Sequence, residues 1–237
     1  MKLAIFGSLA SSSPVPGRNH LAFALEKDEG LHWFDAGENS SRTAAFMGYA
    51  PEKIRQIFLS NFHTVNCGGL PGLFNYLGRN KEPVPFYVPE CGKLGSLYAL
   101  AESSFSSPLP VAERSLQNQA FSEADGVKVS WYSGTEPQVP YSFMIEAEGK
   151  KIVYSNSPLT AETAEWLRHA DAVLTGTSEV SVPEICRKFK RERYKIGTLI
   201  FFHRASADAA YEEMQSRARD IWDGELFFAE DGKIFQL

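Results

Sequence analysis

The spacing of apolar positions changes along the chain, and the changes mark out its elements. A short apolar run at 3–6 reads as a strand ending at Gly7, and the Ser-, Pro- and Gly-rich stretch 8–19 reads as a loop. Strands are predicted at 20–26 and 31–34, the second stopping at Asp35-Ala36-Gly37. Ser40 or Ser41 is placed to cap a helix running to Gly48. Pro51 opens a short helical turn, and the continuous apolar run 57–59 predicts a buried strand that ends in the loop 60–69. A helix follows over 70–77, because Pro71 suits a first helical turn.

The second half has a similar style. It predicts a strand at 84–88, a helix at 93–102 and a serine-rich loop at 103–110. Strands at 127–132, 141–147 and 151–155 come next, with Glu148-Gly149-Lys150 as the turn between the last two. Helices at 161–169, 182–191 and 206–219 then alternate with strands at 172–175 and 198–202, and the tail 225–235 reads as a terminal hairpin around Asp231-Gly232. Hairpins followed by alternating strands and helices predict sheets covered by helices, a layered α/β architecture. No stretch is long and polar enough to act as a linker, so 1–237 is expected to form a single domain.

Composition narrows the function. With 43% hydrophobic and 13% aromatic residues among 237, a large core is within reach. The net charge of −5 argues against nucleic acid as a partner, since phosphate binders carry a basic field. The only basic run, Arg187-Lys188-Phe189-Lys190-Arg191-Glu192-Arg193, reads as the solvated face of a helix. Cys67, Cys91 and Cys186 have no short spacing, which gives neither a disulfide framework nor a CxxC metal site. No apolar stretch has the length of a membrane span or the form of a signal peptide, so a cytoplasmic protein with no membrane partner is expected.

The chemistry concentrates in Phe58-Leu59-Ser60-Asn61-Phe62-His63-Thr64-Val65-Asn66-Cys67-Gly68-Gly69-Leu70-Pro71-Gly72-Leu73, where an apolar strand enters a polar loop and then a glycine-bounded helix start. This segment resembles the signature of the metallo-β-lactamase superfamily in its ribonuclease Z-like branch, where His-x-His-x-Asp-His precedes Gly-Gly-Leu-Pro-Gly-Leu. Other stretches resemble the same family in the same order. They are Pro14-Val15-Pro16-Gly17-Arg18-Asn19-His20, then Phe34-Asp35-Ala36-Gly37-Glu38, then Lys151-Ile152-Val153-Tyr154-Ser155, then Asp171-Ala172-Val173-Leu174.

The resemblance implies a four-layer αββα fold, with two packed mixed sheets flanked by helices. It also implies a site for two metal ions held by histidines and aspartates. Those ligands fall on Asn61, His63, Val65, Asn66, Ser157 and His203, and the histidine expected before Val139 is missing, since no histidine lies between His63 and His169. Zinc needs imidazole, thiolate or carboxylate donors, normally three or more from protein. The metal-bound hydroxide that drives hydrolysis in this fold depends on them. The resemblance further gives Asp35 a role in orienting the loop by hydrogen bonds.

The reading is therefore a catalytically inactive or strongly diverged family member that needs no cofactor. Its degenerate pocket, lined by Asn61, His63, Asn66, Ser157, His203 and Asp35, would bind a small polar or anionic ligand. The alternative is a metal-dependent hydrolase, phosphodiesterase-like, with zinc or another divalent metal on His63 and His203. A Ser–His pair drawn from Ser60 or Ser157 with His63 or His203, or a Cys67–His63 pair, is the other conceivable nucleophile. The oligomeric state stays open, a dimer included.

Overall fold

The computed structural model describes the chain except residues 12, 79–81, 103–109, 119, 134–138, 156–160, 177–180 and 203–208. Within the described residues two seven-stranded sheets lie face to face. The first is built from β1 (Lys2–Gly7), β2 (Ala22–Lys27), β3 (Gly30–Phe34), β4 (Ile54–Phe58), β5 (Val84–Val88) and β6 (Val111–Ser115). The second begins with β7 (Phe121–Ala124), β8 (Val127–Tyr132), β9 (Ser142–Ala147) and β10 (Lys150–Ser155), and continues with β11 (Ala172–Gly176), β12 (Thr198–Phe202) and β13 (Glu225–Phe228). The last strand, β14 (Ile234–Gln236), returns to the first sheet beside β1.

Both sheets are mixed. In the first, β1, β2 and β3 run antiparallel and β3, β4, β5 and β6 run parallel. In the second, β7 to β10 are antiparallel and β10 to β13 are parallel. Parallel neighbours need crossover connections, and helices supply them. They are α1 (Ser40–Phe46), α2 (Thr64–Cys67), α3 (Leu70–Leu77) and α4 (Gly95–Glu102) in the first half, then α5 (Ala161–Leu167), α6 (Val182–Arg191) and α7 (Ala209–Ile221).

Strand alternation explains the layers. Successive side chains point to opposite faces, so Leu3 and Ile5 of β1 join an inner core between the sheets, while Ala4 and Phe6 join an outer core under the helices. On that outer face Leu70, Leu73, Phe74 and Leu77 of α3 pack with Trp33, Ile57 and Phe86. On the far side Cys186 and Phe189 of α6 pack with Val153, Val173 and Phe201. The result is the four-layer αββα arrangement expected from the sequence. Both faces of each sheet are covered, which is why the central strands read as unbroken apolar runs.

One feature of the inner core positions the site. Phe23, Phe34, Phe58 and Tyr87 sit at paired positions on β2, β3, β4 and β5. Their rings stack at centroid distances of 4.9, 5.0 and 4.9 Å. Each such pair adds about 0.5–1.5 kcal/mol beyond its buried area. Phe34 immediately precedes Asp35, and Phe58 lies two residues before Ser60, so the loops that follow rise from a rigid aromatic floor.

Three expectations are corrected. The tail is not a hairpin: β13 runs parallel to β12 in the second sheet, and β14 runs antiparallel to β1 in the first. The turn at Gly232, with φ of +82°, carries the chain from one sheet to the other. The Asp231 carboxylate anchors the crossing by accepting from the Ser8 and Asn19 backbone amides at 2.8 and 2.6 Å. β6 and β7 were not predicted; β6 has no buried position, so its pattern carries no strand alternation. Finally, α1 starts at Ser40 from Asn39 in the left-handed region, without a side-chain cap from either serine. The serine-rich stretch 103–109 lies outside the described residues.

Candidate functional site

Asp35 stands at the centre of the loops that leave the C-terminal ends of β3 and β4. It is fully buried, and its φ of +55° is rare for a residue with a side chain. The surroundings hold it there. Its backbone amide donates to the Phe58 carbonyl at 2.8 Å, and its carbonyl accepts from the Trp33 indole at 2.6 Å.

Four donors converge on its carboxylate. The Ser60 amide reaches Oδ1 at 2.8 Å. Oδ2 accepts from Ser60 Oγ at 2.9 Å, Asn66 Nδ2 at 2.8 Å and the Tyr154 hydroxyl at 2.5 Å. Burial pushes the Asp35 carboxyl up to about 6, and these four donors pull against that rise. The same burial, with Asp35 as neighbour, pushes the Tyr154 hydroxyl far above its ordinary range. Tyr154 comes from β10 of the second sheet, so this cluster ties the two sheets together at the site.

Glycines let the loops close in. A Cβ on Gly69 would sit 2.1 Å from the Gly37 carbonyl oxygen, and one on Gly37 would sit 2.2 Å from the His20 carbonyl carbon. The backbones therefore meet directly: the Ala36 amide donates to the Asn66 carbonyl at 2.6 Å and the Gly69 amide to the Ala36 carbonyl at 2.7 Å. The Gly-Gly-Leu-Pro-Gly-Leu segment is thus a packing device that seats α3 against the Asp35 loop.

The residues picked out by sequence separate into three groups. Asn66 is 2% exposed, and besides Asp35 its Nδ2 faces Ser60 Oγ at 3.2 Å. Asparagine here reproduces the inward N–H that an imidazole would offer to Asp35, but lacks an outward ring nitrogen to meet a metal. Asn61 and His63 lie nearer the surface. The Asn61 side chain accepts from the His63 amide at 2.8 Å, and His63 caps α2, its Nδ1 facing the Val65 amide at 3.4 Å. That contact makes Nδ1 the acceptor and leaves the N–H on Nε2 of an exposed ring. Ser157 and His203 lie outside the described residues.

Val65 is buried in the inner core. Ser60 is fully buried and its hydroxyl is engaged with Asp35, so it is not placed as a nucleophile. Cys67 donates its thiol to the Phe62 carbonyl, and burial pushes that thiol up to about 11, which keeps it protonated and unreactive near neutrality. Tyr154 is the participant that sequence reasoning missed. Its signal was a hydroxyl at an inward-facing position of a central strand, where a buried partner is required.

Of the four ligand positions in the 61–66 loop, one imidazole remains; the others are two amides and an alkyl chain. Among the described residues no three His, Cys, Asp or Glu side chains gather into a group that could hold a metal ion. Among the described residues the donor set does not fit the two-metal centre implied by the resemblance.

The chain superposes along its whole length on a metallo-β-lactamase-fold protein from Bacillus subtilis, YhfI, with a TM-score of 0.79 at 14% identity, covering 99% of both chains. This chain has the metallo-β-lactamase fold. A second structural match is the human short form of tRNase Z, with a TM-score of 0.75 at 18% identity over 100% of this chain and 99% of that one. In sequence, a ribonuclease Z from Pyrococcus abyssi is 27% identical over 251 residues, covering 92% of this chain and 81% of that protein. Shorter matches to other ribonucleases Z reach higher identity but cover 30% or less of those proteins' length. No family model matches the chain. Among the described residues no helix is long and apolar enough to cross a membrane.

Proposed function

We propose that this chain is a ribonuclease Z-related metallo-β-lactamase-fold protein that has given up the two-metal centre and uses the remaining loops, with 1–237 as one unit, to bind a small polar or anionic molecule. The observation that supports this reading most is Asn66, whose amide is committed to Asp35 where a metal-facing imidazole would be needed. Val65, packed in the core where the family places an aspartate, adds to it. Zinc-bound water owes its nucleophilicity to the metal's charge, and the 61–66 loop lacks the donors to keep that charge in place. What the loop retains is the exposed His63 imidazole and the Asn61 amide, both able to donate to a hydrogen-bond-accepting ligand. Ser157 and His203 are proposed as further lining residues on the strength of the sequence resemblance.

The second reading is a metal-dependent hydrolase acting on RNA or another phosphodiester, with one metal on His63 and His203. The names of the relatives favour it, and they outweigh the bulk charge as a guide to whether RNA is a substrate. The experiment is metal analysis and thermal melting of the purified protein with equimolar zinc, beside cleavage of a tRNA precursor with zinc or manganese added. The first reading expects no zinc-dependent melting shift and no cleavage. Stoichiometric zinc that is lost in His63→Ala, or metal-dependent cleavage, would establish the second.

A further inference from the structure

A second buried polar cluster lies three residues before Asp35. His32, on β3, is fully buried among apolar neighbours. Its Nδ1 lies 2.9 Å from Gln56 Nε2 on the neighbouring strand β4, and Gln56 Oε1 accepts from the Ser122 hydroxyl at 3.0 Å. Ser122 belongs to β7, so the chain His32–Gln56–Ser122 crosses from the first sheet to the second. Among the described residues β7 is an edge strand, paired only with β8. At the tip of that hairpin Asp125 meets Arg55 of β4 at 2.8 Å. These two contacts tie β7 and its turn to the first sheet, while the neighbouring β8 is held separately by Val127, Val129 and Trp131 in the inner core.

The imidazole in this chain is poorly provided for. With Gln56 donating to Nδ1, the ring proton sits on Nε2, which is buried and has no hydrogen-bond partner among the described residues. Turning the Gln56 amide over would move the ring proton to Nδ1 and still leave Nε2 without a partner. We infer that the His32–Gln56–Ser122 chain is an acid-sensitive latch, whose protonation releases the edge strand β7 from the first sheet.

The electrostatic surroundings offer the charged ring no refuge while the latch is closed. The charged groups that act on it are Asp125 from the β7–β8 turn, Arg55 from β4 and Lys27 from β2. The carboxylate is already paired with Arg55, and the two cations oppose a third charge. Burial does most to hold the imidazole down, to about 4. A buried, unpaired charge is expensive, and water can be admitted most cheaply by swinging away β7, which is paired with β8, has Ser122 as its one buried residue and ends at an exposed ion pair. Asp35 lies outside this movement, because its bridge runs to β10 in the middle of the second sheet.

Hydrogen exchange of the backbone amides between pH 7 and 4.5, corrected for intrinsic rates, tests the latch. The opening equilibrium at residues 121–124 is expected to rise by up to about tenfold per pH unit below the unperturbed imidazole range, while amides of β1 and β2 stay unchanged. His32→Gln should remove the pH dependence, and Ser122→Ala should raise opening at β7 already at pH 7. Opening at β7 that is independent of pH, or equally pH-dependent in His32→Gln, would overturn the inference. Should His32→Gln fail to fold, proton NMR of His32 in the unmodified protein decides, because an imidazole titrating at or above its ordinary value rules the latch out.

Discussion

Two polar clusters interrupt an otherwise apolar interface between the sheets, and they solve the same problem differently. Asp35 buries a carboxyl group but surrounds it with four donors, so both of its oxygens are engaged. Among the described residues His32 buries an imidazole with one partner and leaves Nε2 without one. A satisfied buried network rigidifies its surroundings, while a partly satisfied one stores a liability. The first kind stands where loops must be held in an unusual backbone conformation to shape a site. The second stands beneath an edge strand, where a liability can be relieved by a small movement.

The largest expected effect comes from breaking the satisfied cluster. Asp35→Ala strands the Ser60, Asn66 and Tyr154 donors and leaves only the backbone contacts to hold the left-handed conformation at 35. Losing one partner of a buried charged network costs about 3–5 kcal/mol. Urea unfolding should show a loss in that range, and a loss below about 1 kcal/mol would mean that the loop is held by its backbone contacts alone.

Protonation sets the two clusters against each other. The fold favours neutral His32, so its contribution is intact above pH 6.5 and is lost as pH falls toward 4. The fold also favours protonated Asp35, so its contribution is present below 3.8 and is lost as pH rises toward 6. Each shift exceeds two pH units, or about 3 kcal/mol, and between pH 4 and 6 the two oppose each other. Global stability can therefore stay level while the β7 end loosens. Unfolding free energies at pH 4 and 6.5 for the native chain and His32→Gln separate the terms: the variant should gain about 3 kcal/mol relative to the native chain on acidification. Parallel pH curves would show that His32 titrates normally.

A smaller effect concerns the lost metal ligands. Val65→Asp puts a carboxylate into the inner core at a cost of about 1–3 kcal/mol. Joined with Asn61→His and Asn66→His it completes a donor set, and the new imidazole at 66 can keep the inward N–H to Asp35. The triple variant should then melt higher with zinc than without, by linkage, while the native chain shows no shift. Equal shifts in both would return the site to the metal-dependent reading.

The fold was legible because its central strands are covered on both faces and so spell out unbroken apolar runs, as at Val173-Leu174 and Leu199-Ile200-Phe201. The loss of ligands was legible because donor chemistry is a property of residue type; Val65 has none in any conformation. What did not show was pairing at a distance. Nothing local says that β13 and β14 part company into different sheets, since that choice is made by strands more than twenty residues away. Asp125-Gly126 did carry a hairpin signal, with both residues at positive φ, but β7 is four residues long with one buried position and gave no alternation to join to it. The Tyr154–Asp35 contact spans 119 residues, beyond any local pattern.

The smallest effect is the one that compares the two bridges most directly. Tyr154→Phe and Ser122→Ala each delete one hydroxyl that links the sheets, and both sites are buried. The Tyr154 hydroxyl donates to a carboxyl group, and a hydrogen bond to a charged partner contributes about 1.5–3 kcal/mol. Its removal should also raise the Asp35 carboxyl further, because a donor that favours the ionised form is gone. The Ser122 hydroxyl donates to a neutral amide, worth about 1 kcal/mol. Ser122→Ala should therefore lower global stability by about 1 kcal/mol at pH 7, less than Tyr154→Phe. Its loss should shrink further at pH 4, where the protonated latch has already given up the Gln56–Ser122 contact. Thermal melts of the two variants at both pH values would show this pattern. A Ser122→Ala loss that stays constant or grows on acidification would place Ser122 outside the latch and leave its hydroxyl as an ordinary packing contact.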